Sequence, residues 1–384
     1  MLNDGKNRSR PNLDTFIISP SGHFYIHYDT TETDLFKAGP PDLTDLNLND
    51  VPDYIDEVGS IADTARKVLV EVMGYQRAPF DADSIYDIYI MEYPKYKYGF
   101  NYTDNDGTAD QNQESGESSY LCIDNDFIPH SFDVDISPLD IMRITLVHEY
   151  FHAIQWGYRG YTGNNKYFYE MSSMWFEDVM IPEGNDYLEY MWIEDLFDHP
   201  TRAFNNTGQG YELALFGHYL SSFIDPKGQI DAKQSTIMLE IWSRFSNCTD
   251  FYSHSECNNR GAFYAVEDIL EENYNTTFIE SWVDFISRNL YNGIDESFYY
   301  YSDQELIDPI TTDPQGLSLA STETFTLQLD DESVSIQSYD LADVATVFIT
   351  HSSSDYVGRV ASLSAGNIEN SLLWGTNNTS FIAN

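Results

Sequence analysis

The chain has 384 residues, of which 42% are hydrophobic and 15% aromatic, so it can bury a large core. Its 63 acidic and 19 basic residues give a formal net charge of -44, which repels nucleic acid and anionic membrane surfaces. The charge therefore predicts no nucleic-acid partner, and the lack of any apolar run of about 18 residues predicts no membrane insertion.

The first part of the chain mixes strand and helix patterns. Residues 1–18 form a polar lead-in without the apolar core of a signal peptide, which indicates either a removed leader or an intracellular protein. We predict strands from Gly22 ("GHFYIHYD"), Tyr86 ("YDIYIME") and Ser118 ("SSYLCIDND"), with a helix from Val51 between the first two. A polar loop separates the last two strands, and the section as a whole predicts a mixed sheet beside a helix.

The pattern then becomes helical from Ser137 to Arg288 and turns to alternating, β-branched residues near the end. A strand-rich front and a helix-rich back indicate an α+β fold. A stretch rich in Pro, Asp and Thr predicts a linker, and the residues after it predict an all-β domain, a small sandwich or part of one. The predicted organisation is a lead-in (1–18), a main α+β domain (19–306), a linker (307–318) and a C-terminal β-domain (319–384).

The motif "HEYFH" lies in a helix whose start is well signalled. Ser137 can cap this helix, Pro138 suits its first position, and Asp140 falls in its first turn. His148 and His152 are four residues apart, so they project from one face about 6 Å apart along the axis. This spacing allows both imidazoles to bind one Zn²⁺.

Glu149 stands between the two histidines and points to the adjacent side of the helix. There it can take a proton from a metal-held water and return it to a leaving amine, as a metallohydrolase requires. The competing interpretation is that the histidines are ordinary hydrogen-bonded helix residues, since such short motifs arise by chance. However, Glu149 is the one acidic or basic residue between 144 and 158, and an unpaired carboxylate in an apolar helix is costly. The surroundings favour a zinc site with Glu149 as general base.

A catalytic zinc needs a third protein ligand and an open fourth position. Related motifs with a third histidine or a glycine turn are excluded, because Tyr158 and Gln155 stand at those positions. The next helix offers Glu170, 18 residues after the second histidine and beyond a turn-rich stretch. We favour Glu170 as ligand, with Glu177 or Asp178 orienting a ligand histidine. Two alternatives stay open. Glu177 could be the ligand with Glu170 in the supporting role, or both side chains could simply face solvent on the helix surface.

Several blocks of the chain resemble those of a known family. They are "SPSGHFYIHYD", "VPDYID", "YDIYIME", "SSYLCIDNDF", "HEYFHAIQWGY" and "EMSSMWFEDVM". In order and spacing they are similar to the secreted bacterial metalloproteases of the MXAN_6640 type, within the gluzincin group of zinc peptidases, over about residues 19–288. The resemblance implies a gluzincin-like zinc metallopeptidase domain and a protein that is secreted or displayed at the cell surface.

The resemblance also implies roles for individual residues. It assigns His148, His152 and Glu170 as zinc ligands and Glu149 as general base. Better-studied gluzincins have an acidic residue four places after the ligand glutamate, whereas this chain has Met174 there. The supporting role is therefore left to the acidic residues further along the same helix, Glu177 and Asp178.

Transition-state stabilisation in such an enzyme usually needs a hydrogen-bond donor opposite the metal. Tyr211, which opens "YELALFGHYL", is the candidate for this catalytic role, and His218 is the second choice. Ordinary helix packing is the competing interpretation for both residues. The strand from Ser118 could form the sheet edge above the zinc site, where a peptide substrate adds as an extended strand.

Two polar loops suggest further sites. In "DNDGTAD", Asp104, Asp106 and Asp110 surround a glycine as in short calcium-binding loops, so a structural Ca²⁺ is a hypothesis for this loop. Cys248 and Cys257 bracket a polar loop short enough for a disulfide to close.

Together these features predict a zinc-dependent endopeptidase that acts on peptide or protein substrates through a metal-activated water. The alternative is a noncatalytic, acidic binding protein, secreted or at the cell surface, with a structural or vestigial zinc site. A structural site is normally closed by a fourth protein ligand and has no use for Glu149, which favours the enzyme.

Overall fold

The computed structural model describes eleven stretches up to residue 307 and six short strands beyond it. The stretches are 10–31, 39–80, 83–94, 97–104, 116–128, 136–160, 165–188, 204, 210–247, 261–289 and 291–307. The chain divides into two compact units, the first Met1–Ile193 with Thr207–Ala265, the second Glu194–Asn206 with Val266–Asn384. Among the described helices, none is both long and apolar enough to cross a bilayer.

A five-stranded mixed sheet organises the first unit. Its strands are β1 (Thr15–Ile18), β2 (Phe24–Tyr28), β3 (Tyr86–Met91), β4 (Gly99–Thr103) and β5 (Ser119–Asp124). They lie in the order β1-β2-β3-β5-β4, with β2, β3 and β5 parallel and the two edge strands antiparallel to their neighbours. The inner strands β3 and β5 are buried along almost their whole length, whereas β2 alternates between buried and half-buried residues. The predicted mixed sheet is confirmed.

Two features of this sheet correct the sequence analysis. The polar lead-in was expected to end at residue 18, yet β1 (Thr15–Ile18) is an edge strand of the sheet. The strand from Ser118 was one candidate for the edge above the zinc site, but β5 lies inside the sheet and β4 is its neighbour at the edge. The physical reason is that β4, "GFNYT", pairs antiparallel with β5 although its residues belong to a polar stretch.

Seven α-helices occur among the described residues. They are α1 (Asp53–Arg66), α2 (Pro138–Tyr158), α3 (Lys166–Met180), α4 (Ala214–His218), α5 (Ile237–Asn247), α6 (Gly261–Tyr274) and α7 (Phe278–Asn289). A π-helical turn, Lys67–Val72, continues α1 and ends before Gly74, whose φ of 86° suits glycine. The strand-rich front and helical back confirm the mixed α+β fold class.

Helix α2 is the central helix of the first unit. It contacts β4 and β5 as well as α1, α3 and α5. Its apolar residues surround the whole helix instead of forming one stripe, and almost every residue after the first turn is buried. A helix that is apolar on all sides belongs inside a core. Polar groups between residues 146 and 156 of α2 are therefore placed in an environment with little water.

The C-terminal part of the chain contributes six strands. These are β6 (Pro314–Ser318), β7 (Ser338–Asp340), β8 (Ala345–Ile349), β9 (Gly358–Ser364), β10 (Asn367–Trp374) and β11 (Thr379–Ala383). They pair as β6 with β7 in parallel, and as β8 with β11 and β9 with β10 in antiparallel. Strand β6 falls inside the predicted linker at 307–318, because its backbone pairs with β7. The predicted C-terminal all-β domain stays a prediction.

Candidate metal centre

The two histidines of the motif and Glu170 meet between α2 and α3. The Ser137 hydroxyl caps α2 by accepting a hydrogen bond from the Asp140 backbone N–H at 3.1 Å, as predicted. One turn separates His148 from His152, so both imidazoles face α3, which presents Glu170. The three side chains are 6%, 0% and 0% exposed, respectively. A buried group of this kind can hold a metal ion.

The spacing of the three side chains matches one face of a tetrahedron. Nε2 of His148 and Nε2 of His152 are 3.1 Å apart, and each lies 3.4 Å from Oε2 of Glu170. Ligands held at roughly 2.0–2.1 Å from a tetrahedral zinc are separated from one another by about 3.3 Å. Neither oxygen of Glu170 accepts a hydrogen bond of ordinary geometry from the described residues. A buried carboxylate in that condition fits a cation better than it fits a packed core.

Glu177 holds the imidazole of His148 from behind. Its Oε2 lies 3.0 Å from Nδ1 of His148, on the side of the ring away from Glu170. A carboxyl oxygen that accepts a hydrogen bond from Nδ1 keeps the proton on that nitrogen and leaves Nε2 free to bind a metal. Glu170 therefore belongs to the group of three side chains that could hold a metal ion, and Glu177 lies behind one histidine of that group.

Gln155 performs the same task for His152. Its amide nitrogen lies 3.0, 3.1 and 3.0 Å from the Tyr169 carbonyl oxygen, Ser172 Oγ and Ser173 Oγ. With these acceptors around the nitrogen, Oε1 of Gln155 faces Nδ1 of His152 at 2.8 Å. A carbonyl oxygen can only accept, so Nδ1 carries the proton and Nε2 presents its lone pair to the metal position.

Burial and neighbouring charges set the protonation of the site. Burial lowers the pKa of His148, which favours the neutral imidazole that binds metals. Burial alone would raise the pKa of Glu170, but the two imidazoles beside it help to hold the pKa of this carboxyl well below its usual range. Burial raises the pKa of Glu177, and the carboxylates of Asp186 and Asp178 raise it further.

Glu149 lies beside this group and is only 4% exposed. Its Oε2 accepts no hydrogen bond from any described residue. Edge strand β4 covers the same side of α2: a Cβ added to Gly99 would lie 3.3 Å from Cγ of Glu149 and 2.7 Å from Cγ2 of Thr145. Glycine at position 99 thus lets the strand approach the helix closely, while Oε2 of Glu149 has no hydrogen-bond partner among the described residues.

Asn101 ties β4 to α2. Its amide nitrogen donates to the backbone oxygen of Glu149 and to the Tyr86 hydroxyl, each at 3.1 Å. Its amide oxygen accepts a hydrogen bond from Nε1 of Trp156 at 2.7 Å. The side chain of Asn101 is 1% exposed, so these contacts form in a dry environment where they are strong.

Tyr211 lies next to the metal-binding group. Its ring is 6.0 Å from the imidazole of His148, with 28° between the two planes. The preceding Gly210 packs against Glu170, because an added Cβ there would lie only 2.7 Å from Cβ of Glu170 and 2.8 Å from the Tyr167 carbonyl oxygen. The close approach at Gly210 brings the start of the Tyr211–Leu213 turn against the site.

His218 and Asp178 form a separate buried pair. Nε2 of His218 lies 3.2 Å from Oδ2 of Asp178, and the ring of Tyr187 lies 5.6 Å from the imidazole. Burial lowers the pKa of His218 to about 3, which favours the neutral imidazole. Asp178 therefore contacts His218, whereas Glu177 is the acidic residue that contacts a histidine of the metal-binding group.

Most of the remaining predicted site residues lie outside the described residues. These are Asp106 and Asp110 of the calcium hypothesis and the cysteines of the proposed disulfide, Cys248 and Cys257. Asp104 is described: its carboxylate accepts hydrogen bonds from the Arg10 guanidinium at 2.9 and 2.7 Å and from the Ser118 hydroxyl at 2.8 Å.

A comparison of the sequence with models of known protein families found no match, and a comparison with curated proteins found none either. The metalloprotease resemblance stays a prediction that rests on the sequence blocks themselves.

Sequence reasoning missed four residues that shape this site: Gly99, Asn101, Gln155 and Ser173. Gln155 had been considered only as evidence against a glycine turn. A signal was available for it, because position 155 is three residues after His152 and therefore on a neighbouring face of the same helix. Gly99 and Asn101 carried no comparable signal, since they lie in a strand that the sequence did not predict.

Proposed function

We propose that the protein is a zinc-dependent endopeptidase, secreted or displayed at the cell surface, with its active site between α2, α3 and β4. The observation that carries the proposal is the triangle of Nε2, Nε2 and Oε2 atoms formed by His148, His152 and Glu170, with sides of 3.1, 3.4 and 3.4 Å. Two imidazoles and one carboxylate are a typical ligand set of catalytic zinc in peptidases.

The donor set favours zinc over other common cations. Calcium and magnesium prefer six or more oxygen ligands, whereas this group offers two nitrogens and one carboxylate. A zinc ion bound there would lower the pKa of a coordinated water to about 7 and polarise a substrate carbonyl. Glu177 and Gln155 support this chemistry by holding both imidazoles in the tautomer that leaves Nε2 available.

Glu149 is the general base in this proposal. It is buried beside the ligand atoms, and its Oε2 has no partner among the described residues. A carboxylate in this position can accept the proton of the attacking water and deliver it to the amine that leaves. A purely structural zinc site would have no role for such a residue, which is the argument against a noncatalytic binding protein.

The sheet supplies a place for a peptide. Strand β4 is at the edge of the described sheet and packs against Glu149 through Gly99. An extended substrate that pairs with this edge would pass beside Glu149, with its backbone bound by main-chain hydrogen bonds. Binding along an edge strand does not require a chain end, which is why we propose cleavage inside a peptide. Tyr211, stacked near His148, is the proposed donor to the developing oxyanion.

Two substitutions test the proposal. Glu149→Gln should keep about one zinc per chain and lose nearly all hydrolysis of internally quenched peptide libraries, because glutamine cannot act as a base. Glu170→Ala should lose the zinc itself, as measured by elemental mass spectrometry. Glu183→Gln is the matched control, since Glu183 is exposed and lies beyond the C-terminal end of α3.

Three outcomes are informative. Zinc with activity in the wild type and the pattern above supports the endopeptidase. Zinc that persists with no hydrolysis of any peptide in the library favours the noncatalytic binding protein. A chain that takes up no zinc after reconstitution would overturn the proposal.

A further inference from the structure

A second site of interest lies on the opposite side of α2 from the metal-binding group. Tyr150 is two residues from His148, which places it about 200° around the helix axis. Its ring packs against Phe24 and Tyr86, with centroid distances of 5.2 and 5.8 Å. There it lines a cleft of about 390 Å³, counted with the part open to solvent. The end of α1 and the chain that leads into β3 complete its wall.

Two arginines line this cleft, although the protein has only 19 basic residues against 63 acidic ones. Arg77 lies over the Phe80 ring at 4.3 Å and forms no ion pair with any described residue. Arg66 contacts Glu71 at 3.0 Å, but the Glu71 side chain is 55% exposed. Such an exposed ion pair contributes little net free energy, so a ligand can displace it at little cost.

Asp63, a half-buried carboxylate near the cleft, forms no ion pair with either arginine. Asp63 faces the adjoining part of the cleft, where both of its oxygens are engaged by serines. Ser19 Oγ donates to Oδ1 at 2.8 Å, the Ser21 backbone N–H donates to Oδ2 at 2.7 Å, and the Ser21 hydroxyl also contacts Oδ1. The guanidinium groups of Arg66 and Arg77 therefore keep donors for another acceptor.

The Tyr150 hydroxyl adds an uncharged donor. Tyr150 is 2% exposed, and its hydroxyl forms no hydrogen bond with any described residue. The neighbouring Tyr86 differs, because its hydroxyl is bonded to Ser119 and Asn101. A tyrosine hydroxyl in so apolar a setting normally finds a partner, and here the open cleft is the place for one.

We infer that the cleft lined by Arg66, Arg77 and Tyr150 binds a small oxyanion, that is, the phosphate or carboxylate group of a ligand. Guanidinium groups bind both through paired, charge-assisted hydrogen bonds, and a tyrosine hydroxyl adds a third donor. The exposed residues His23 and Ser84 also line the cleft and can contact the part of the ligand nearest to solvent. This site is independent of the metal-binding group and of the proposed peptidase activity.

The test is titration calorimetry of the full chain with inorganic phosphate near neutral pH and low ionic strength. Sodium acetate forms a second arm that distinguishes a carboxylate from a phosphate, and sodium chloride at matched ionic strength controls for screening. Arg66→Gln and Arg77→Gln should each weaken oxyanion binding by about tenfold or more, and Tyr150→Phe by about three- to tenfold.

Lys227→Gln is the matched control, because Lys227 is exposed and lines neither this cleft nor its adjoining part. The control variant should bind the oxyanion with an affinity within about twofold of the wild type. Tyr150→Phe keeps the aromatic ring, and Arg77 is exposed, so both variants are expected to fold; circular dichroism checks this. Equal heats from chloride, unchanged binding in Arg77→Gln, or an equal loss in Lys227→Gln would each overturn the inference.

Discussion

Oε2 of Glu177 lies 3.0 Å from Nδ1 of His148, so a carboxylate on α3 orients an imidazole on α2. This contact joins the two helices that form the metal-binding group. It also explains why a second acidic residue is buried two turns after Glu170, where it would otherwise cost free energy.

We expect Glu177→Ala to weaken zinc binding by about 10- to 100-fold, because the imidazole of His148 loses the partner that sets its orientation and tautomer. Competition with a chromophoric chelator measures the change. Glu177→Gln is the control: its amide oxygen can still accept from Nδ1, so most of the affinity should remain. Equal losses in the two variants would argue that the charge matters more than the orientation.

Gln155 should also support zinc binding, because it orients the imidazole of His152. Gln155→Leu removes the acceptor at Nδ1 of His152 and should lower zinc affinity by about tenfold. Gln155→Glu restores an acceptor but sets a carboxylate against the Tyr169 carbonyl oxygen, 3.0 Å from the present amide nitrogen. We expect that variant to unfold more easily by about 1–3 kcal/mol, as measured in urea. Wild-type stability in Gln155→Glu would contradict the amide orientation described above.

Any side chain at position 99 should collide with Thr145 unless Thr145 is made smaller. In Gly99→Ala the new Cβ would lie 2.7 Å from Cγ2 of Thr145, so the strand or the helix must move. We expect a loss of about 1–3 kcal/mol in the free energy of unfolding. If the proposed peptidase function is right, peptide hydrolysis should fall as well. Adding Thr145→Ser removes the clashing methyl group and should recover most of the stability. A double variant no more stable than Gly99→Ala would rule out this contact as the cause.

Asp124 gives a prediction about pH. Burial raises the pKa of Asp124 to about 6 from an ordinary value of 3.8, with a further contribution from Asp126. Between these two values the folded chain binds more protons at this position than the unfolded chain does. The free energy of unfolding should therefore fall as the pH rises through this window, by at most about 3 kcal/mol from this group.

Urea unfolding at several pH values between about 4 and 7 measures this effect in the wild type and in Asp124→Asn. The asparagine cannot ionise, so the variant should lose this part of the pH dependence. Its absolute stability is a poor readout, since the amide can accept only one of the hydrogen bonds from the Tyr93 and Phe127 backbone N–H groups. Parallel curves for the two proteins would show that Asp124 is not the responsible group.

Helix α2 and its motif were predictable because several local signals agree there. Ser137 and Pro138 mark the start, and an apolar sequence on every face predicts burial. The four-residue spacing of His148 and His152 needs only helical geometry to bring them together. Glu170 required the additional assumption that the chain reverses after α2, which the structure bears out.

The sequence analysis missed two strands, β1 and β4. Their residues are determined by contacts with other parts of the fold, not by a local strand pattern. In β4, "GFNYT", glycine and asparagine are poor strand residues. Gly99 is nevertheless required because Thr145 approaches it closely, and Asn101 is required because it bonds to α2. Strand β1 has four residues and follows a polar stretch, so no local signal separates it from that stretch. Tertiary contacts decide both cases, and such contacts cannot be read from one segment alone.

The burial of Asn101 has a practical consequence for producing the protein. Asn101, Tyr102 and Thr103 form an N-glycosylation sequon, and a eukaryotic secretory pathway attaches its oligosaccharide to the asparagine nitrogen during synthesis, before folding is complete. That nitrogen is the atom that bonds Glu149 and Tyr86 in the folded chain. A glycan there would keep β4 away from helix α2. A bacterial host, or Thr103→Val in a glycosylating one, would preserve the fold.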